Sequence, residues 1–465
     1  MKLRNTFPPV PKHGLDWCIQ NFGRIKALSL QSDLLDDFMR LSNANGSSIV
    51  ALELSYITDG TSSGTLAKIC NDSTPQLRTL RLYGIRLPWQ RKKYSNLTSL
   101  TVVIPDGVLE DDKNITHIFK ESPNLEEFSL SCTRGVSVLA RNYESYKLLR
   151  MCPNPIPLPK LRIFSVQLSL LDVQYLLRQI STPESTQLNI QVKTPPVLEW
   201  QKGQPGTLPE DLQTILPEDQ RCLQAFTAVK TLVIDASERV VQGWVIPQGE
   251  MNKPTPNVTF KILPGLCPAQ ETLKRKDVSK AIADELFSSS SAFLLKRLIS
   301  PASLSRLILR EANQQYMDAQ QHSRSLKRDA IIPLLRPYIL LTNLTFDHYP
   351  PDIVTSIYDE IEHSATPCRC FENIVFKNMN MESRSLRNLL TVMERFGKKP
   401  FRSLMSNCTI MANSQKDVME VFEPLSVAGA IEPNSIISVN WNRSTHAIRC
   451  SFSEANGWTW AEMQD

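Results

Sequence analysis

The residues best suited to chemistry are a histidine and two cysteines in the stretch HSATPCRC, namely His363, Cys368 and Cys370. Imidazole and thiolate groups are ligands that zinc prefers, but a structural zinc site takes four of them, commonly with Cys-x-x-Cys spacing. The spacing here is Cys-x-Cys, and no fourth ligand stands nearby. We therefore predict a loop that leads into the apolar stretch FENIVF, with no metal and no other cofactor.

Signatures of catalysis are missing from the sequence. It contains no Gly-x-x-x-x-Gly-Lys-Ser/Thr, Gly-x-Gly-x-x-Gly, His-Glu-x-x-His or Gly-x-Ser-x-Gly motif, and these motifs position phosphates, dinucleotides, zinc and nucleophiles. The turn DGTSSG at 59–64 has no lysine where a phosphate loop requires one. The other histidines are dispersed, so no nucleophile can be paired with a base. The sequence predicts a protein that is not an enzyme.

A basic segment is the strongest candidate for a partner contact, because six basic and no acidic side chains lie between Ser73 and Pro105. A nucleic-acid contact, a protein-binding loop and a merely basic connector all fit this composition. Pro88 disfavours a helix, and the acidic stretch DGVLEDD follows. A connector is favoured, and it is also the best place to look for a partner at the rim of the fold. The candidate partner-binding residues are Arg78, Arg81, Trp89, Arg91, Lys92 and Lys93.

The totals describe a folded chain with a mild basic excess. Of the 465 residues, 42% are hydrophobic and 21% are charged, which is typical of a globular protein and not of a disordered one. The net charge of +5 comes from 52 basic and 47 acidic residues. Nucleic-acid-binding proteins concentrate positive charge more strongly, so a nucleic-acid partner is disfavoured.

The termini and cysteines bear on location. The stretch MKLRNTFPPVPKHG has no apolar core of a secretory signal, and the longest apolar stretch, AIIPLLRPYILL, is broken by Arg336 and two prolines. We therefore expect no transmembrane helix. The 10 cysteines lack the spacing of a disulfide framework, so we expect reduced thiols and a cytoplasmic or nuclear protein.

A short pattern, apolar-x-x-apolar-x-apolar, recurs along the chain and sets the predicted architecture. Its copies are IKALSL from Ile25, IVALEL from Ile49, LRTLRL from Leu77, LTSLTV from Leu97, LEEFSL from Leu125, LRIFSV from Leu161, a weaker STQLNI from Ser185, VKTLVI from Val229, LSRLIL from Leu304, LTNLTF from Leu341, FENIVF from Phe371 and a poor FRSLMS from Phe401.

Each copy predicts one strand with one buried face. Residues two apart on a strand share a face, so the last two apolar positions point into one core. One unit cannot bury this face alone, whereas stacked units form a parallel sheet with a continuous core. Connections of roughly 15 to 25 residues leave room for crossovers on the other side. We predict an α/β fold, an irregular leucine-rich-repeat-like solenoid with a parallel concave sheet and helices or loops on the convex side.

Three connecting segments have a helical stripe of apolar residues. They are HGLDWCIQNF near the start, SLLDVQYLLRQI after the Leu161 copy and MESRSLRNLLTVMERFG after the Phe371 copy. Residues 193–222 are instead rich in proline and glutamine and predict an insertion. The predicted organisation is an N-terminal flank with a short helix at 1–24, a first repeat array at 25–192, the insertion at 193–222, and a second array with an irregular C-terminal cap at 223–465.

The outward positions of the first six strands carry charges of both signs and many small polar residues. A nucleic-acid groove would keep one sign along its length to neutralise successive phosphates, whereas complementary mixed charges give specificity to protein contacts. The mixed face therefore favours a protein partner. The positions are Lys26, Ser29, Val50, Glu53, Arg78, Arg81, Ser99, Thr101, Glu126, Ser129, Arg162 and Ser165.

Several of these stretches resemble the leucine-rich part of F-box proteins of mushroom-forming fungi. They are LRTLRLYGIRLPWQRKKYSNLTSLTV, SPNLEEFSL, LPKLRIFSV and FENIVFKNMNMESRSLRNLLTVMERF. The resemblance covers roughly residues 20 to 410 and is carried by the repeats together with the tryptophan loop. It implies the substrate-recognition part of a cullin-type ubiquitin ligase, intracellular, with an unknown protein target. Residues 1–24 contain no recognisable F-box, so a Skp-type adaptor is expected only if an F-box lies upstream.

Overall fold

The computed structural model describes residues 2–4, 12–41, 43–56, 64–65, 74–86, 94–104, 112–132, 154–194, 215–217, 219–245, 255–263, 283–284, 286–288, 290–311, 335, 337–338, 340–349, 372–382, 387, 402–411, 436–441, 444–453 and 457–463. These residues form an α/β protein with extended, mostly parallel sheets and few helices. By its contacts the chain divides into a first unit, residues 1–227 and 256–286, and a second unit, residues 228–255 and 287–465.

The strands, in chain order, are β1 (Lys2–Arg4), β2 (Ala27–Ser32), β3 (Ala51–Tyr56), β4 (Gly64–Thr65), β5 (Thr79–Tyr83), β6 (Ile85–Arg86), β7 (Ser99–Ile104), β8 (Glu127–Cys132), β9 (Ile156–Pro157), β10 (Ile163–Ser169), β11 (Ile180–Ser181), β12 (Gln187–Lys193), β13 (Thr231–Asp235), β14 (Val240–Trp244), β15 (Val258–Leu263), β16 (Arg306–Arg310), β17 (Asn343–Asp347), β18 (Asn373–Lys377), β19 (Asn380–Glu382), β20 (Arg402–Ser406), β21 (Thr409–Met411), β22 (Ile436–Trp441), β23 (Ser444–Ser453) and β24 (Gly457–Met463).

The recurring apolar pattern correctly predicts where the strands begin. In each copy except the last, the strand starts two residues after the first apolar position, as β2 does after Ile25 and β16 does after Leu304. The first apolar residue itself is buried in most copies, for example Ile49, Leu97 and Val229, each with no exposed surface. The pattern therefore specifies both the strand and the turn that leads into it.

The last copy was predicted one residue out of place. Strand β20 pairs with β18 so that Met405 lies opposite Phe376, and Ser403 lies opposite Ile374. Met405 is fully buried and takes the place that the pattern from Phe401 had given to Ser406. Leu404 and Met405 are both apolar, so periodicity alone could not choose between the two registers.

The first unit contains one long parallel sheet, in the order β1-β2-β3-β5-β7-β8-β10-β12-β15. Its strands pair in register, so that apolar side chains of successive strands line up as continuous buried rows. Parallel strands with crossover connections bury one face in this way. The two buried rows are Leu28, Leu52, Leu80, Leu100, Phe128, Phe164, Leu188 and Val258, then Leu30, Leu54, Leu82, Val102, Leu130, Val166, Ile190 and Phe260.

The second unit contains strands in the order β14-β13-β16-β17-β18-β20. All these neighbours are parallel except the hairpin of β13 and β14, which is antiparallel. A separate sheet of the same unit has the order β19-β21-β22-β23-β24 and ends in an antiparallel meander of β22, β23 and β24. The sequence analysis predicted an irregular cap in this region and assigned it no strands.

A repeated hydrogen-bond pattern joins five strands of the first unit, β3, β5, β7, β8 and β10, each to the strand before it in the sheet. The two amides at the start of β3, Val50 N and Ala51 N, both donate to Lys26 O, at 2.7 and 3.0 Å. The same paired donation recurs at the starts of β5, β7, β8 and β10. Because the entry into each of these strands is bonded identically, the strands keep their register although the connections between them differ in length.

The α-helices with both ends in the described residues are α1 (Lys12–Gln20), α2 (Leu35–Leu41), α3 (Asp112–Glu121) and α4 (Leu170–Gln179). A π-helix at Leu294–Leu298 and 3-10 helices at Phe22–Arg24, Gln220–Cys222 and Gln224–Phe226 are also described. Helices α1 and α4 confirm two of the three predicted helices. Ser169 ends β10 and caps α4, because its hydroxyl accepts from Asp172 N and donates to the Asp172 carboxylate at 2.5 Å. The third predicted helix, near 383–397, lies outside the described residues except for Arg387.

Turns at the strand ends use residues with positive φ. After β5, Gly84 has φ +68°, and a Cβ there would lie 2.7 Å from Tyr56 O, so glycine is required for both conformation and space. In the second unit His348, Asn378 and Asn407 directly follow β17, β18 and β20 with φ between 51° and 60°. Asparagine tolerates this left-handed conformation better than most residues. No helix within the described part of the chain is long and apolar enough to cross a membrane.

Four buried thiols give a prediction about reactivity. Cys18, Cys132, Cys222 and Cys408 are buried and belong to no disulfide, and burial raises the pKa of both Cys222 and Cys408 to about 11. Thiolates are the reactive species, so we expect all four to resist N-ethylmaleimide at pH 8 in the folded protein and to react in guanidinium, as measured by peptide mass spectrometry.

The same pKa values predict a loss of stability in alkali. The pKa of Cys222 and Cys408 in the folded protein lies above the ordinary thiol value of 9.0. As the pH rises above 9, the unfolded chain therefore loses these protons before the folded protein does. Their contribution to the free energy of unfolding is therefore complete below pH 9 and is lost as the pH rises towards 11. Rapid labelling of Cys222 or Cys408 in the folded protein at pH 8 would contradict this account.

Candidate protein-binding face

The structure describes two of the six predicted partner-binding residues, Arg78 and Arg81. The Arg78 side chain donates from Nη1 to Asn96 O at 3.0 Å, and Arg81 Nη1 lies 3.9 Å from Glu53 Oε2. Both arginines therefore contact their own neighbours and do not join one basic cluster. Trp89, Arg91, Lys92 and Lys93 lie outside the described residues, as do His363, Cys368 and Cys370.

The side of the first unit's sheet opposite the buried rows is its outer face. Register places six predicted outward residues in one row across six strands. These residues are Ser29, Glu53, Arg81, Thr101, Ser129 and Ser165. The other predicted positions lie outside this row. Five of them precede their strands, and Ser99 lies on the same face in the adjacent row, opposite Glu127. The five are Lys26, Val50, Arg78, Glu126 and Arg162.

The centre of the outer face is polar and uncharged. We call it the amide track, and it consists of Ser129, Ser131, Ser165, Gln167, Asn189 and Gln191 on β8, β10 and β12. Each of the six is half-buried. Ser129 and Ser165 were predicted to point outward, whereas Asn189 and Gln191 were not, because the copy of the pattern that forms β12 is weak.

Hydrogen bonds link the amide track from strand to strand. Ser131 Oγ donates to Gln167 Oε1 at 3.3 Å, Asn189 Nδ2 donates to Ser165 Oγ at 3.3 Å, and Gln191 Nε2 donates to Asn189 Oδ1 at 3.4 Å. These distances are long for such bonds, so the side chains are oriented by each other and only weakly held.

Charged residues flank the amide track on both sides. Glu53 and Arg81 lie on β3 and β5, and Glu127 accepts from Ser99 Oγ at 3.0 Å. On the other side Lys193 donates from Nζ to Cys132 O, and burial lowers the pKa of this lysine. Acidic and basic groups thus lie on the β3 to β8 side of an uncharged centre, and two lysines lie on the other side, Lys193 on β12 and Lys261 on β15 opposite Gln191. This mixture suits a protein surface better than a polyanion.

A second cluster lies at the strand ends of the second unit, and we call it the charged ladder: Asp235, Arg310, Asp347 and Lys377, in register across β13, β16, β17 and β18. Arg310 donates from Nε to Asp347 Oδ2 at 2.8 Å and from Nη1 to Asp235 Oδ2 at 3.3 Å. Burial lowers the pKa of Arg310, but bonds to the two carboxylates outweigh burial and leave it raised.

The carboxylates of the charged ladder have several further donors. Asp347 Oδ1 lies 2.7 Å from Asn378 Nδ2 and 2.8 Å from His348 Nδ1, and Asp235 Oδ1 accepts from Ser237 Oγ at 2.5 Å and Glu238 N at 3.1 Å. Because both carboxylate oxygens of each aspartate accept hydrogen bonds within the protein, the ladder holds the strand ends together. It leaves little hydrogen-bonding capacity for a partner. Its signal in the sequence is a charged residue six positions after the first apolar residue of four copies.

The described residues offer no metal-binding cluster. Among them, no three histidine, cysteine, aspartate or glutamate side chains are placed to hold a metal ion. Comparison with protein-family models and with curated proteins found no match for the chain. The outer face with its amide track is thus the candidate site that the geometry offers.

Proposed function

We propose that this chain is a leucine-rich-repeat-like solenoid that acts as a protein-interaction module and binds a protein partner through the outer face of its first unit. The observation that carries the proposal is the composition of that face, an uncharged polar centre flanked by acidic and basic residues. The recurring strand register, with the same hydrogen bonds at the entries of β3, β5, β7, β8 and β10, supports the repeat architecture.

The resemblance to fungal F-box proteins adds the class of partner. Under it the chain would be the substrate-recognition part of a cullin-type ubiquitin ligase, and a Skp-type adaptor would bind only through an F-box upstream. The alternative of a nucleic-acid scaffold using residues 78–93 is less well supported. Two of its arginines contact Glu53 and Asn96 within the protein, where they would have to be free to meet phosphates.

Site-specific photo-crosslinking tests the proposed face. Benzoylphenylalanine in place of Ser129, at the centre of the face, should form an adduct with one defined protein in cells that express the chain. The same group in place of exposed Glu184, which lies between β11 and β12, is the matched control and should not form that adduct. Equal adducts at both positions, or none at Ser129, would remove the proposal.

The ligase part of the proposal needs its own measurement. Partners isolated through the Ser129 adduct should decline in abundance when the chain is expressed and recover when the proteasome is inhibited. Unchanged abundance of a partner that is crosslinked at Ser129 would leave an interaction module without a ligase role.

A further inference from the structure

The amide track combines hydrogen-bonding groups of both kinds with an absence of charge. An asparagine or glutamine side chain offers two N–H donors and two carbonyl lone pairs. A peptide unit carries the same kinds of group, one N–H and one C=O, so the two can pair. In the amide track, within the described part of the chain, Gln167 Nε2 and Gln191 Oε1 have no hydrogen-bond partner. The track therefore presents both a free donor and a free acceptor on neighbouring strands.

We propose that the amide track binds an extended, uncharged segment of a partner protein through the main-chain N–H and C=O groups of that segment. This inference rests on the proposed interaction function and names the kind of surface the partner must offer. It assigns the binding contacts to Gln167, Asn189 and Gln191, with Ser129, Ser131 and Ser165 completing the track.

The chemistry of the track selects main-chain groups. A charged partner segment would have to leave water for a surface whose six side chains carry no compensating charge, which costs free energy. A helix already uses its main-chain donors and acceptors internally and offers few to a neighbour. An extended segment leaves these groups available along its length, as in other complexes in which an extended peptide is held by its main chain.

The dimensions agree with a short segment. Neighbouring strands lie about 4.8 Å apart, so the three strands of the track span about 10 Å. An extended chain advances about 3.3 Å per residue, so three to four residues cover the track. The charged groups that flank the track, Arg81 with Glu53 on one side and Lys193 with Lys261 on the other, would then meet residues beyond this central stretch.

A carbohydrate is the competing ligand, since sugar hydroxyls also donate and accept without charge. Sugar rings have an apolar face that packs on aromatic side chains, and no aromatic side chain belongs to the track. Tyr83 on β5 lies in the same row as Ser131, Gln167 and Gln191. It is two strands away from β8, however, so its ring lies beyond the track. The track is thus better suited to a polypeptide.

The test uses the full chain and a phage-displayed library of unstructured 12-residue peptides. Peptides selected by the wild-type chain should lack charge over a central stretch. Methylation of single main-chain nitrogens within that stretch should weaken binding about tenfold, because each methyl group removes one donor. The triple variant Gln167→Leu, Asn189→Leu and Gln191→Leu should weaken binding by tenfold or more.

Gln31→Leu is the matched control. Gln31 lies on β2 in the row that contains Gln167 and Gln191, half-buried like them, and its replacement should leave peptide affinity unchanged. Circular dichroism and the urea midpoint check folding, and the single variant Gln167→Met serves if the triple variant does not fold, with a loss of severalfold expected.

The results separate the two proposals. Failure to select peptides, or selection of peptides whose binding ignores N-methylation and the triple variant, would overturn the main-chain inference while the Ser129 adduct still supported an interaction function. Binding to a glycan array that depends on Gln167 and Asn189 would overturn it in favour of carbohydrate. Loss of the Ser129 adduct would instead count against the interaction function itself.

Discussion

Replacing Asp347 with alanine should lower the free energy of unfolding by about 3 kcal/mol, because it removes the shared acceptor of three side chains. The carboxylate is 8% exposed and receives Arg310 Nε at 2.8 Å, Asn378 Nδ2 at 2.7 Å and His348 Nδ1 at 2.8 Å. Arg310 is 44% exposed and can turn towards water, so the loss falls at the lower end of the range for a broken buried pair. Urea denaturation followed by circular dichroism measures the change.

Two further variants show whether the loss of stability in Asp347→Ala comes from breaking the charged ladder. Asp347→Asn keeps one acceptor oxygen and should lose roughly half as much stability, since it removes charge but little volume. Asp219→Ala breaks the aspartate–arginine pair with Arg221, whose side chain is 65% exposed, and removes the N-cap bond from Arg221 N. It should therefore lower the free energy of unfolding by about 1 kcal/mol or less. Hydrogen exchange of the peptide 343–347 should accelerate in Asp347→Ala. Equal effects of the Asp347→Ala and Asp219→Ala variants would contradict a structural role for the ladder.

Replacing Phe128 with alanine should have the largest effect in the first unit, a loss of about 4 kcal/mol. Phe128 is 2% exposed and lies in a buried row between Leu100 and Phe164. Its ring stacks on Phe164 at 5.6 Å and meets Phe119 of α3 edge-to-face at 4.9 Å. Alanine would therefore leave a cavity where the helix meets the sheet.

A volume-conserving change provides the control for this cavity. Phe128→Leu keeps most of the buried apolar volume and should cost about 1 kcal/mol. A double-mutant cycle of Phe128→Leu with Phe119→Leu should give a coupling of about 1 kcal/mol, which is the worth of an aromatic pair beyond its buried area. Additive effects of the two changes would mean that the rings do not interact. Both values come from urea denaturation.

The fold could be predicted wherever the spacing of a few neighbouring apolar residues specifies a strand. From β2 to β12, each strand of the first unit that is longer than two residues was predicted from its own apolar spacing. The register of β20 was missed because Leu404 and Met405 are both apolar. Strands β22, β23 and β24 were missed because their pairing is antiparallel and does not use the repeat.

The candidate site was less accessible from sequence. The basic residues of 78–93 were predicted as a candidate partner contact because of their charge. In the structure, however, Arg78 donates to Asn96 and Arg81 lies beside Glu53. The amide track is formed by ordinary serine, asparagine and glutamine residues that lie apart along the chain. They become one surface because β8, β10 and β12 pair in register, and no local pattern encodes that pairing.

What the sequence by itself determined is therefore the set of parallel strands, their buried side and the mixed character of the outward side. The reason is that apolar spacing and the free energy of burying those residues act within a few positions. Only the tertiary structure decided which outward residues become neighbours, such as Asn189 beside Ser165 and Asp347 beside Arg310. These contacts join residues many positions apart, so they depend on strand order and register, which the packed sheet sets as a whole.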